Sequence, residues 1–145
     1  MWNYLFQIPP YAENHRVTRC ATVPRDIIAL AYTAHMHFRG KSMTTEAVYP
    51  DGRHEVLMNV PHYDFRWQET YFLKQPKLLL KGTHLNMTGY FDNSPNNPLN
   101  PDPSKTVRYG EPSSEEMIGF WLQYAEAGTS DVNAGVTQAK SKESR

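Results

Sequence analysis

Short β-favouring runs, each closed off by turn residues, recur along this chain, and they constrain its fold more than any other feature. Residues 16–23 (RVTRCATV) and 27–37 (IIALAYTAHMH) are rich in β-branched and apolar types. Residues 43–49 (MTTEAVY) and 53–58 (RHEVLM) flank Pro50-Asp51-Gly52. That tripeptide is a hairpin turn, because Pro fixes its own φ and Gly accepts a positive one. Residues 67–73, 77–80, 84–91 and 117–124 complete the set, with Lys81-Gly82 as the turn between the third-last and second-last runs. Helical periodicity is almost absent. The expected fold is therefore all-β, an antiparallel jelly roll or β-sandwich of about eight strands.

The 145 residues suit one domain with a sizeable core. We expect that domain over residues 1–125. Residues 126–145 carry no large apolar side chain except Val132 and Val136 and read as a disordered tail. Residues 92–113, rich in Pro and Asn, form one long loop. Lys plus Arg and Asp plus Glu both number 15, so the formal charge is 0. This balance argues against a nucleic-acid or anionic-membrane partner. No apolar run approaches the length of a membrane-spanning helix. The opening MWNYLFQIPPYAENHR lacks the features of a secretory leader, so the expectation is a chain that is not exported or one whose leader has been removed. One cysteine, Cys20, excludes an internal disulfide framework and a multi-Cys zinc site. Its expected state is a buried, inert thiol.

The chemistry centres on AHMHFRGKS, residues 34–42. On a strand, residues i and i+2 share a face, so His35 and His37 project together while Met36 points the other way. That is a two-ligand metal seat, and a copper or zinc centre needs a third ligand from elsewhere. His15, His54, His62, His84, Met117 and the carboxylates are the candidates, with His84 the alternative to Met117. In 117–124, Ile118, Phe120, Leu122 and Tyr124 read as the core face. Met117 falls on the other face beside Gly119, where a missing side chain leaves room. A His2Met set favours copper, especially Cu(I), because the thioether is soft. Three further features stay open between function and simple structure. Arg39-Gly40-Lys41 either steers an anionic substrate or is a solvated turn. Glu115 and Glu116 either orient a histidine or are surface carboxylates. The aromatic stretch Tyr63 to Trp67, with Trp2 and Tyr4, is either core or a binding platform.

Three stretches together, FQIPPYAENHRVTRCATV, AHMHFRGKSM and EPSSEEMIGFWLQYAEA, resemble in that order the C-terminal domain of the ascorbate-dependent type II copper monooxygenases. That family includes peptidylglycine alpha-hydroxylating monooxygenase and dopamine beta-monooxygenase. The chain resembles bacterial homologues more closely still, on H-M-H-x-R-G-K-S, Y-P-D-G-R, Y-D-F-x-W-Q and F-D-N-S-x-N-N-P. The resemblance implies one copper ion held by His35, His37 and Met117, which are then also the catalytic residues. It implies hydroxylation of a substrate C–H bond with O2, and ascorbate or another reductant as electron donor. It also implies a preceding electron-transfer domain whose own copper is bound by three histidines. No such histidine set stands in this sequence. A separate domain, a homo-oligomer or a soluble reductant would then supply the missing electron. Family members work in exported, oxidising settings, so an exported or periplasmic location follows if the chain derives from a longer precursor. A copper-binding sandwich without turnover and a metal-free partner-binding sandwich are the alternatives. The substrate, a small molecule, is not identified by any of these residues.

Overall fold

The computed structural model describes residues 1–128. Nine strands run in the order β1 (Gln7–Ile8), β2 (His15–Thr22), β3 (Ile27–Met36), β4 (Gly40–Val48), β5 (His54–Val60), β6 (Thr70–Leu79), β7 (His84–Phe91), β8 (Val107–Arg108) and β9 (Ile118–Glu126), with no helix among them. They form a four-stranded sheet, β2-β7-β4-β5, a three-stranded sheet, β6-β3-β9, and a two-stranded ribbon, β1-β8. All the strand pairs are antiparallel. The all-β, sandwich-like expectation holds.

The expected turns form for the expected reasons. Gly52 and Gly82 have φ of 87° and 88°, a region that an L side chain rarely enters. Gly52 N–H closes the Pro50-Asp51 turn on the Tyr49 carbonyl at 2.9 Å. Two details differ from expectation. Residues 67–73 and 77–80 are not two strands but parts of one, β6. Its residues 73–76 bulge opposite the single residue Leu30 of β3. Pro76 lacks an N–H for the ladder, and an edge strand with a bulge tolerates that. The 92–113 loop also contains a strand, β8, too short to be seen as a pattern.

The core lies between the two larger sheets. Tyr32, Met36, Ile118 and Phe120 from one meet Met43, Met87 and Phe91 from the other, each at most 2 % exposed. Burying such a side chain contributes about 1.5–3 kcal/mol. The fit is close: a Cβ on Gly89 of β7 would come within 2.4 Å of Ile118 Cδ1. Along β9 the core face ends early. Ile118 and Phe120 are buried, Leu122 is half-buried and Tyr124 is exposed, contrary to the expectation for Tyr124. Cys20 is likewise exposed, not buried. β9 continues to Glu126, and Ala127 N–H bonds the Asp26 carbonyl at 3.2 Å. The expected tail beyond residue 128 lies outside the described residues.

The N-terminal residues 1–3 run beside the free edge of β9. Asn3 N–H bonds the Ile118 carbonyl at 3.3 Å, and Phe120 N–H bonds the Met1 carbonyl at 2.9 Å. That edge would otherwise present unpaired backbone groups.

Candidate metal centre

β3 reaches the end of the three-stranded sheet at Met36 and crosses to the four-stranded sheet through residues 37–39. The corner is tight. Gly40 N–H bonds the His37 carbonyl at 3.1 Å. A Cβ on Gly40 would lie 2.7 Å from Met36 Cβ and 2.8 Å from the Tyr63 ring, so a residue without a side chain is required there. His35 and His37 sit at this corner with ring centroids 5.1 Å apart. Met36, fully buried, points into the core between them. The alternation expected of the His-x-His segment is thus realised.

Each imidazole is fixed through one nitrogen. Gln68 Nε2 donates to the Phe65 carbonyl at 2.9 Å, which turns Gln68 Oε1 toward His35 Nδ1 at 2.6 Å. An amide oxygen only accepts, so His35 carries its proton on Nδ1. His37 Nδ1 faces the Glu115 carbonyl at 3.3 Å and is the donor for the same reason. Each ring therefore keeps Nε2 as the unprotonated nitrogen, the form that binds a metal. Burial is the main cause holding both imidazoles below the ordinary histidine pKa, with the His35 charge adding to it at His37.

Beneath the pair lies a buried polar layer. Glu116 is fully buried and accepts three backbone N–H bonds: from Arg39 at 2.6 Å, from His37 at 2.9 Å and from Met117 at 3.2 Å. One carboxylate thus ties the His37 backbone to the Met117 backbone. Burial pushes its pKa up to about 8, against the pull of these donors and of Arg39. Arg39 is also fully buried. Its guanidinium donates to Asn93 Oδ1 at 2.7 Å, the Ser114 carbonyl at 2.8 Å and the Asp102 carbonyl at 3.5 Å. Arg39 therefore neither steers a substrate nor belongs to a solvated turn. Glu116 is no surface carboxylate, since it fixes the backbone of His37.

The β3–β9 register pairs His35 with Gly119 and Met36 with Ile118. Extended by one residue, it sets Met117 opposite His37. Met117 is 8 % exposed. The space beside Gly119 is not empty, because the Trp2 ring lies where a Gly119 Cβ would be, 2.6 Å from that point. His84 is elsewhere. It pairs with Thr22 and Val48, whereas the corner adjoins the other end of β7, where Gly40 pairs with Phe91. Seven residues of strand separate the two ends, about 23 Å. His84 bonds Thr22 Oγ1 at 3.0 Å instead, so the alternative ligand is not brought to the pair. Among the described residues no three His, Cys, Asp or Glu side chains converge as a metal site.

The bracing residues largely escaped sequence reasoning, although they stand in the quoted patterns. In Y-D-F-x-W-Q, Tyr63 OH donates to the Met36 carbonyl at 2.7 Å and accepts from Met36 N–H at 2.9 Å. Phe65 meets the His37 ring edge-on at 6.1 Å, and Gln68 holds His35. In F-D-N-S-x-N-N-P, Asn93 holds Arg39, and Asn97 Nδ2 donates to the Phe38 carbonyl at 3.1 Å. Two distant loops thus wrap one corner. The oxygen-rich residues of the second loop are engaged as structural bonds.

The fold is thus an antiparallel β-sandwich with a braced histidine pair at one corner. The family model described as copper type II ascorbate-dependent monooxygenase, C-terminal domain, matches residues 5–143. The chain belongs to that family. No curated protein matches it as a relative.

Proposed function

We propose that the chain binds one copper ion through His35, His37 and Met117 and serves as the oxygen-activating half of a type II copper monooxygenase. One observation carries this reading: both imidazoles commit Nδ1 to carbonyl acceptors and so keep Nε2 for a metal, in a chain of a copper-dependent family. The donor set fits the ion. Two neutral imidazoles and a thioether impose little charge and suit Cu(I). Copper would supply O2 binding and one-electron redox chemistry. Gln68 and the Glu115 carbonyl hold the rings in orientation, and Glu116 holds the two ligand-bearing segments together. The overall balance, R–H plus O2 plus two electrons plus two protons giving R–OH and water, requires an external donor. Ascorbate, another reductant or a partner electron-transfer domain fills that role.

Copper stoichiometry and Cu(II) EPR on the purified chain test the reading, with His35→Ala and Met117→Ala alongside. One copper per chain is expected, lost in His35→Ala, with Cu(I) affinity weakened in Met117→Ala. Oxygen consumption under ascorbate then separates an enzyme from a copper carrier. A wild-type chain that takes up no copper overturns the proposal.

A further inference from the structure

The N-terminal segment is pinned on both sides of a pair of outward-facing residues. Asn3 N–H bonds the Ile118 carbonyl at 3.3 Å, its side-chain amide donates to the Thr18 carbonyl at 2.9 Å, and its Oδ1 accepts from Leu5 N–H at 2.9 Å. Phe6 stacks on Phe91 with ring centroids 5.8 Å apart, and Gln7 and Ile8 pair with Arg108 and Val107 of β8. Between these anchors Tyr4 is 55 % exposed and Leu5 92 %. Their exposure is imposed by the fold and is not that of a frayed end. Tyr4 also meets Tyr109 edge-on at 4.8 Å. Apolar groups held together in water in this way mark an interaction site. Tyr4, Leu5, Phe6, Gln7, Arg108 and Tyr109 line a cleft of about 450 Å³. That volume falls within the range of about 300–1,000 Å³ for small-molecule sites. None of His35, His37 and Met117 lines it.

The chemistry of the lining narrows the occupant. Gln7 and Arg108 are opposed in register, so their side chains share the outward face of the ribbon, while Ile8 and Val107 are fully buried. The Gln7 amide both donates and accepts, the guanidinium only donates, and the phenol hydroxyls do either. Glu111 accepts from the Tyr109 hydroxyl at 3.4 Å, which sets a carboxylate beside the same ring. The Met1 ammonium is turned to the Phe120 carbonyl at 2.6 Å, and Glu115 pairs with Lys105 at 3.6 Å. The charges that face the cleft are therefore Arg108 and Glu111, of opposite sign. An anion gains at one and loses at the other, and a cation does the reverse, so neither is favoured over a neutral molecule. Tyrosine rings offer apolar faces with a polar tip. A ligand that matches them carries C–H faces and a rim of groups that both donate and accept hydrogen bonds. A sugar ring has that distribution.

We propose that this cleft binds the neutral sugar rings of a glycan, with a C–H face against Tyr4 and Tyr109 and hydroxyls toward Gln7, Arg108 and Glu111. The site shares no lining residue with the proposed copper centre, and its occupancy does not depend on the metal.

The test is titration of the 15N-labelled chain, followed by its backbone amide resonances. The probes are glucose, maltose, cellobiose and N,N′-diacetylchitobiose, with glucuronate and glucosamine as charged counterparts of glucose. At least one neutral sugar is expected to shift the amides of residues 4–7 and 107–109, with a dissociation constant of about 1 mM, or roughly −4 kcal/mol. Neither charged sugar should bind more tightly than glucose. Tyr4→Ala and Tyr109→Ala should each weaken binding about three- to tenfold, the worth of one aromatic contact. Their amide spectra away from the ribbon report that the fold is kept, and Arg108→Gln, at an exposed position, weakens binding as well. Copper loading should leave the affinity unchanged. The proposal is overturned if no neutral sugar shifts these amides at millimolar concentration, if a charged sugar binds more tightly than glucose, or if both tyrosine variants bind as the wild type does. Shifts of residues 4–7 that follow protein concentration without sugar would also overturn it, making this face a contact between copies of the chain.

Discussion

The two sides of the histidine pair are built from unlike materials. Below it, Glu116, Arg39 and Asn93 are fully buried, and each is satisfied by several hydrogen bonds. Around and above it, Trp2, Trp121, Phe65 and Phe72 meet the rings edge-on or stand in solvent. The difference teaches a division of labour. Polar groups taken out of water must find partners of fixed geometry, so they hold position. Aromatic edges make weaker contacts than a satisfied buried hydrogen-bond network, so they leave the outward side free to accept a ligand.

That division can be broken from below first. Glu116→Ala removes the acceptor of three N–H groups and leaves the buried Arg39 charge with less compensation. It should cost about 3–5 kcal/mol, since each buried N–H left without an acceptor costs about 1–3 kcal/mol. Urea denaturation measures this, and a loss under about 1 kcal/mol would mean that the polar layer is not what holds the corner. Gly119→Ala attacks the boundary between the two layers. Its Cβ would come within 2.6 Å of the Trp2 ring, an overpacking that costs about 1–3 kcal/mol. The near-UV circular dichroism of the Trp2–Trp121 pair should change, and an unaltered spectrum would show that Trp2 is not seated as described.

Gln68→Ala sharpens the comparison, because it separates orientation from stability. Losing one hydrogen bond to His35 should cost about 1 kcal/mol. Copper affinity should fall about 10–100-fold, as it does when a ligand loses its orienting partner. Competition against a Cu(I) chelator reads this out, and an unchanged affinity would remove Gln68 from the site. The smallest effect belongs to His84→Ala. It lies on an exposed position at the far end of β7, so stability should stay within about 0.5 kcal/mol of wild type. Copper stoichiometry should remain that of the wild type, and a loss of copper would reinstate His84 as a ligand.

Much of the fold was legible along the chain. The strand runs, the Pro50-Asp51-Gly52 and Lys81-Gly82 turns and the shared direction of His35 and His37 all follow from local rules with a period of two residues. The same rules failed where context overrode pattern. Residues 67–73 and 77–80 read as two runs, but β6 is an edge strand that carries Pro76 in a bulge. Tyr124 kept the core alternation yet ran past the end of the core and is exposed. Cys20 has the composition of a buried residue but sits on an outer face.

By itself, the sequence determined an all-β chain, its turns, the His-x-His geometry and, through its motifs, its family. Only the tertiary structure decided that Arg39 and Glu116 are buried, that Gln68 and the Glu115 carbonyl fix the imidazole tautomers, that Trp2 fills the gap over Gly119, and that His84 is remote. The physical reason is separation along the chain. Local conformation depends on neighbours two to four residues away. These contacts join residues 33 to 117 positions apart, and their pairing is set by strand register and sheet order.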